Sequence, residues 1–169
     1  MYQLRYWNLL KELKTHVLYL HAYASNAQAW DKSLNMLLAI SSSTSIAAWA
    51  AWQSYPLVWA SIIALAQVVT ALKPLLPHGQ RIKAISALND SLQQIALECE
   101  RGWFEVAEGV LSEKQIHDLC ISLKQTASEA ERKHLSGLIL PHKDKLLRQA
   151  EDEADLYLRN NYLGGQPDA

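Results

Sequence analysis

The sequence predicts an all-α protein, organised as a two-pass transmembrane helical hairpin with an N-terminal amphipathic helix and a C-terminal cytoplasmic helical bundle. Residues 33–72 contain no Asp, Glu, Lys or Arg, so the 16 basic and 17 acidic side chains all lie elsewhere. Outside this stretch, apolar residues recur every three or four positions, which is typical of helices. No segment shows the sustained alternation of a strand.

These patterns divide the chain into four segments. Residues 1–32 form the amphipathic helix, 33–76 the transmembrane hairpin, 77–163 the cytoplasmic helical domain and 164–169 a flexible tail. The first helix mixes an apolar stripe with basic positions, so it either lies at a membrane interface or packs on the C-terminal domain. Two cysteines, Cys99 and Cys120, are too few for a disulfide framework and suit a reducing compartment.

The uncharged stretch is long enough for two crossings, because a bilayer core needs roughly 20 apolar residues per helix. The polar turn Gln53, Ser54, Tyr55 and Pro56 separates a crossing at residues 34–52 from another at 57–76. Lys and Arg flank the outer ends of both crossings and are absent from the turn, which predicts that both termini are cytoplasmic. The alternative is a soluble helical bundle built around the same hairpin.

Polar residues interrupt both predicted crossings. They are Asn35, Ser42, Ser45 and Trp49 on one side of the first and Gln67 and Thr70, one turn apart, on the second. In one interpretation the hydroxyls bond to backbone carbonyls and small residues pack the hairpin. In the other, these six residues line an aqueous pore. Since two helices cannot enclose a pore, the second interpretation requires a homo-oligomer of four or more copies.

The C-terminal segment predicts three further helices. Apolar residues recur at three and four from residue 81 to 101, and Gly102 marks a break. The sequence from Ser112 to Gln115 fits a capping box that starts the next helix. Pro141 precedes a final helix at residues 142–162.

Positive charge is concentrated around the last two helices. The candidate ligand-binding residues there are Arg132, Lys133, His142, Lys143, Lys145 and Arg148. In one interpretation they form a solvated, salt-bridged surface, because acidic residues lie nearby. In the other they bind the phosphates of an anionic nucleotide, and Trp103, Phe104 or Tyr157 stacks on its base.

Motifs that carry catalytic chemistry are missing from the sequence. There is no phosphate-binding glycine loop, no metal-spaced Cys/His set and no nucleophile–base motif. We therefore expect no enzymatic activity, no metal site and no cofactor.

The layout resembles the SLATT family of two-transmembrane proteins of bacterial conflict systems. The resemblance rests on a first helix that ends near Trp30, Asp31 and Lys32 and on the tight hairpin from Trp49 to Trp59. It also includes the exit sequence ALKPLL at residues 71–76 and ERGWF at residues 100–104.

The resemblance implies a pore-forming effector of antiphage defence in the bacterial inner membrane, which depolarises the cell and arrests growth. In the related Hailong system, short oligodeoxyadenylates from a partner nucleotidyltransferase hold a membrane channel shut. The implied partners are identical copies, the lipid bilayer and a nucleotide or oligonucleotide bound by the cytoplasmic helices. The alternative function is a non-conducting membrane scaffold that recruits a soluble partner.

Overall fold

The described part of the chain is almost entirely helical. The computed structural model describes residues 1–42, 56–72, 78–138 and 140–162. The helices are α1 (Tyr2–Ser42), α2 (Pro56–Leu72), α3 (His78–Ala107), α4 (Glu113–Leu135) and α5 (Asp144–Tyr162). These described ranges contain no strand, so the predicted all-α class is confirmed. The predicted tail at residues 164–169 lies outside them.

The chain divides into two compact units. Unit 1 contains residues 1–24 and 81–169, and unit 2 contains residues 25–80. The division therefore falls within α1, before the boundary that the sequence placed at residue 32.

Unit 1 is a four-helix arrangement in which α1, α3, α4 and α5 alternate in direction. The start of α1 meets the end of α3, where the Gln3 side chain donates to the Val106 carbonyl at 2.9 Å. Trp7 contacts Tyr162 at the end of α5, with ring centroids 6.0 Å apart. Further along α1, Tyr19 stacks on His142, which precedes α5. Helices α1 and α5 are therefore antiparallel.

Apolar stripes of these helices form one core. On α3 the buried residues Ile85, Leu88, Leu92, Ile95 and Cys99 recur at spacings of three and four, which confirms the predicted face. The first helix also contributes throughout unit 1, and its buried residues are Tyr6, Leu9, Leu10, Leu13, Val17, Leu20, Tyr23 and Ala24. Of the two placements considered for this helix, the structure has it packed on the C-terminal helices.

Gly102 does not break the third helix, contrary to the sequence prediction. Helix α3 continues through it to Ala107. A Cβ atom at position 102 would overlap the Tyr6 hydroxyl, which is buried and donates to the Cys99 carbonyl at 3.0 Å. Glycine is therefore needed here because α1 and α3 approach closely, and not because the helix ends.

The predicted capping box at the start of α4 is confirmed. The Gln115 amide donates to the Ser112 hydroxyl, and the Gln115 side chain accepts from the Ser112 amide at 2.8 Å. This reciprocal pair satisfies two backbone donors at a helix start that lack intrahelical partners. It explains why α4 begins at Glu113.

Unit 2 contains the end of α1, the whole of α2 and the first residues of α3. Helix α2 is uncharged and has 17 residues, a length of about 26 Å. Within α1, the Asn35 side-chain amide donates to Asp31 at 3.0 Å. On α2, Ser61 donates to the Leu57 carbonyl one turn earlier at 2.8 Å.

The predicted localisation in a bacterial inner membrane, with both termini cytoplasmic, is wrong. No helix of the described residues is both long enough and apolar enough to cross a membrane. Helix α2 is shorter than the roughly 30 Å hydrocarbon core of a bilayer. In α1, the residues that precede the uncharged stretch include Asp31 and Lys32. Residues 43–52 of the first predicted crossing and 73–76 of the second lie outside the described ranges.

Candidate functional site

The connection between α4 and α5 brings two basic segments to the same end of unit 1. Helix α4 ends at Leu135, and the Leu138 amide bonds to the Leu135 carbonyl at 2.9 Å in the turn that follows. Gly137 adopts a φ of +78°, a backbone conformation that glycine reaches at a lower free-energy cost than residues with a Cβ atom. Helix α5 starts at Asp144. Eight residues, 136–143, therefore connect the last turn of α4 to the first turn of α5.

Two tyrosines of α1 hold the start of α5 in place. The Lys143 backbone amide donates to the Tyr19 hydroxyl at 3.3 Å. The His142 ring stacks on Tyr19, with an interplanar angle of 30°. The Lys143 ammonium lies 4.5 Å from the centroid of the Tyr23 ring, within the range of a cation–π interaction. These contacts orient His142 and Lys143, which directly precede α5, relative to α1.

Most cations at this end form no ion pair with the other described residues, although Glu129, Glu131, Glu151 and Asp152 flank them in the sequence. Residues 132–148 contain five Lys or Arg residues and one Asp. His142 lies 3.0 Å from that residue, Asp144. Among the described residues, no carboxylate forms an ion pair with the remaining cations, which are Arg132, Lys133, Lys143, Lys145 and Arg148. All five are exposed, and we call residues 132–148 the basic end.

His134 differs from its neighbours on α4 because it faces another helix. Its Nε2 lies 3.2 Å from the Ser91 hydroxyl of α3. Ser91 also donates to the Ala87 carbonyl at 3.0 Å. This contact orients the last turn of α4, from which the exposed Arg132 and Lys133 extend.

Trp103 is separated from the predicted basic ligand residues. Its ring contacts Trp7 at a centroid distance of 4.8 Å and stacks on Tyr6 at 6.3 Å. Trp7 and Tyr19 are 12 positions apart on α1, which corresponds to about 18 Å along the axis. Trp103 therefore belongs to the opposite end of unit 1. The aromatic residues beside the basic end are instead Tyr19 and Tyr23. They were not predicted from the sequence, although their spacing of four places them on one helix face.

The other two aromatic candidates are also away from the basic end. Tyr157 donates to Glu100 Oε2 at 3.2 Å, and Phe104 is an exposed residue of α3. Glu100 Oε1 in turn accepts from the Lys14 ammonium at 2.9 Å. The Lys14–Glu100–Tyr157 cluster thus joins α1, α3 and α5 inside the bundle, where it orients helices.

The predicted pore-lining residues are only partly covered by the structure. Gln67 and Thr70 lie one turn apart on α2 and are both exposed, and Asn35 is exposed on α1. Ser42 is the last residue of α1. Ser45 and Trp49 lie outside the described residues, so a common polar path stays a prediction.

The described residues offer no arrangement that suits a metal ion, since no group of three or more His, Cys, Asp or Glu side chains is placed to hold one. Burial raises the pKa of the Cys99 thiol to about 12. Burial also raises the pKa of Cys120. Both thiols are therefore protonated at neutral pH, whereas nucleophilic cysteines react as thiolates.

Comparisons of the chain with protein-family models, curated proteins and solved structures give no significant match.

Proposed function

We propose that unit 1 is a non-enzymatic recognition module that binds a phosphate-bearing nucleotide or oligonucleotide at its basic end. The observation that carries this proposal is the set of five exposed Lys and Arg side chains without carboxylate partners in the described chain. The five cations lie within 17 positions around the connection between α4 and α5, so their positive potentials add at one end of unit 1. This concentration of charge favours a surface that binds an external anion.

Phosphate recognition fits the residue types at the basic end. Arg132 and Arg148 provide planar guanidinium groups that bond to two phosphate oxygens at once, and the lysines add mobile point charges. Base stacking contributes less, because Tyr23 is buried and the Tyr19 ring is already covered by His142. Affinity should therefore come mainly from the phosphates, and it should fall steeply with salt.

Fluorescence anisotropy with a labelled short oligodeoxyadenylate tests this proposal. The variant Arg132→Glu/Lys133→Glu should weaken binding about 30-fold, because two exposed charge contacts contribute about 2 kcal/mol. The matched control is Lys114→Glu/Lys124→Glu, which makes the same charge change on α4. Lys114 and Lys124 lie 18 and 8 positions before Arg132, or about 27 and 12 Å along the helix. Equal losses in both variants would contradict a site at the basic end.

Unit 2 supports a second component of the function, which is self-association. Helix α2 exposes Leu57, Ser61, Ala64, Val68 and Ala71, whose alternating spacing of four and three matches the seam of a coiled coil. Ser61 already bonds to the Leu57 carbonyl, so its hydroxyl needs no new partner in an apolar interface. A second copy supplies an identical uncharged seam. We therefore propose a homo-oligomer assembled through α2.

Light scattering of the full chain tests the assembly. Val68→Glu should convert oligomers to monomers, because it places a charge within the seam. Leu156→Glu is the matched control, since Leu156 is a similarly exposed apolar residue of unit 1. Oligomers that survive Val68→Glu would remove α2 from the interface.

The two components together describe a ligand-responsive effector, as in the conflict systems that the sequence resembles. There the nucleotide would be made by a partner nucleotidyltransferase, and this chain would respond to it without catalysing a reaction. Growth assays of cells that express this chain, with and without a nucleotidyltransferase encoded next to it, test that role. A chain whose effect on growth is independent of any such enzyme would contradict it.

A further inference from the structure

A groove between the start of α1 and α4 combines apolar walls with a cation. It encloses about 440 Å³ and lies within unit 1. Tyr2, Leu4 and Leu9 supply apolar surface, and Arg5 lies among them on the same helix. Leu9 is buried, whereas Leu4 is 64% exposed. The groove therefore has an apolar floor and an apolar wall that faces solvent.

The Arg5 side chain is held in place without being neutralised. Its Nη1 lies 3.0 Å from His117 Nδ1 on α4. A guanidinium group can only donate, so this nitrogen of the imidazole ring accepts. The Tyr2 ring meets the His117 ring edge-on, with centroids 6.3 Å apart. Within the described residues Arg5 forms no ion pair, so a positioned positive charge stays available to a ligand.

The other two charged side chains of the groove, Glu12 and Lys124, offset each other. Helices α1 and α4 run in the same direction, and Arg5 of one meets His117 of the other. Glu12 and Lys124 each lie seven positions further along, about 10 Å, so the two opposite charges lie at the same level. The net positive charge of the groove is therefore concentrated at Arg5, beside the apolar walls.

We propose that this groove binds a small organic acid that has one carboxylate and an apolar body, such as a medium-chain fatty acid. Its volume lies within the range of small-molecule sites, roughly 300–1,000 Å³, which are mostly apolar with a few polar groups. Since Nη1 of Arg5 bonds to His117, the Nε and Nη2 edge of the guanidinium remains for two carboxylate oxygens. The hydrocarbon chain packs against Tyr2, Leu4 and Leu9.

The lining favours a monoanion with an apolar body over a nucleotide. Arg5 is a single uncompensated cation, and Glu12 repels a second negative charge. The groove is also separate from the basic end, because Tyr19 lies 14 positions after Arg5, about 21 Å along α1. Binding of the acid therefore does not depend on the proposed nucleotide site.

Isothermal titration of the full chain with sodium octanoate at constant ionic strength tests the proposal. Butanoate keeps the carboxylate and shortens the chain, whereas octylamine keeps the chain and reverses the charge. Each methylene that leaves water lowers the Kd by up to about fourfold, so octanoate should bind with one-to-one stoichiometry and at least about tenfold more tightly than butanoate. Octylamine should bind at least about tenfold more weakly than octanoate, because Arg5 repels its ammonium group.

Replacement of Arg5 tests the carboxylate contact. Arg5→Gln should weaken octanoate binding about tenfold, because a charge-assisted pair of bonds is lost. Arg5→Lys keeps the charge but lacks the planar fork, so it should weaken binding by only about threefold. The matched control is Arg101→Gln, which removes the same charge from an exposed position of α3 outside the groove and should leave the Kd unchanged.

Replacement of Leu4 tests the apolar wall without changing a charge. Leu4→Asn should raise the octanoate Kd about fivefold and leave the butanoate Kd unchanged, because the shorter chain does not reach the wall. Its Tm should not fall, since Leu4 is already 64% exposed. Leu97→Asn is the control at a leucine of α3 that is 51% exposed, and it should change neither Kd.

Three outcomes would overturn the proposal. Octanoate that binds no more tightly than butanoate would mean that the groove senses charge alone. Equal losses in Arg5→Gln and Arg101→Gln would reduce the effect to the net charge of the chain. Octanoate binding that Leu4→Asn leaves unchanged would place the hydrocarbon chain on another apolar surface.

Discussion

The pair formed by Lys14 and Glu100 allows a quantitative test of how unit 1 is held together. The ammonium and carboxylate are 2.9 Å apart, and their side chains are 10% and 12% exposed. Tyr157 donates to the second carboxylate oxygen at 3.2 Å. The Lys14 ammonium also lies 3.6 Å from the centroid of the Tyr157 ring. Each charge is thus compensated within the bundle.

Lys14→Met removes the ammonium and keeps most of the alkyl chain. Glu100 then keeps its bond from Tyr157 but loses its opposite charge, and breaking a buried pair costs about 3–5 kcal/mol. Because the bond from Tyr157 remains, we expect the lower limit of this range. The free energy of unfolding should therefore fall by about 3 kcal/mol. In a chain of this size each kcal/mol lowers Tm by about 2–4 °C, so Tm should fall by about 6–12 °C.

Urea unfolding followed by near-ultraviolet circular dichroism measures this change, since the Trp7 and Trp103 rings are 4.8 Å apart in unit 1. Lys11→Met is the matched control: the Lys11–Asp155 pair is 42% and 49% exposed, so its loss should cost under about 1 kcal/mol. Lys14→Met/Glu100→Leu should recover most of the lost stability, because no uncompensated charge remains. Equal costs for Lys14→Met and Lys11→Met would refute this reasoning.

Three further predictions concern the fold. Gly102→Ala should lower the free energy of unfolding by about 2 kcal/mol, because the new Cβ displaces the Tyr6 hydroxyl. Gly79→Ala is the control and should change urea unfolding little, because position 79 has open space around it. A Gly102→Ala variant of unchanged stability would mean that α1 and α3 separate easily. Ser112→Ala should cost about 1 kcal/mol through loss of the α4 cap, and unchanged thermal unfolding would contradict that contribution. The pKa of Cys99 is about 12 in the folded chain and exceeds its ordinary value of 9.0. As the pH rises, the thiol therefore ionises first in the unfolded chain. Its contribution to stability should be complete below pH 9 and lost between pH 9 and 12. Urea midpoints across this range, compared with Cys99→Ala, measure the effect, and identical pH profiles would exclude it.

Local patterns in the sequence predicted the features that one segment decides for itself. The spacing of Ile85, Leu88, Leu92 and Ile95 identified the buried face of α3, because helical periodicity depends only on the residues of that helix. The same holds for the Ser112–Gln115 cap, whose bonds span three positions. The basic residues around the α4–α5 turn were also found, since the residues that place them together are close in sequence.

Features that depend on which helices become neighbours were not accessible in this way. The uncharged residues 33–72 predicted two membrane crossings, but no described helix is long and apolar enough for one. Gly102 is a residue type that often ends helices, yet glycine is needed there because the Tyr6 hydroxyl leaves no room for a side chain. Trp103 is a residue type that stacks on bases, yet it packs against Trp7, away from the basic end.

The sequence alone determined that the chain is helical, which faces of its helices are apolar and where positive charge collects. Only the tertiary structure decided that Lys14 meets Glu100, 86 positions away, and that Tyr6 meets Cys99, 93 positions away. The reason is physical: periodicity records how one helix divides its surface between core and solvent. The identity of the side chain across the interface depends on the packing of all four helices at once.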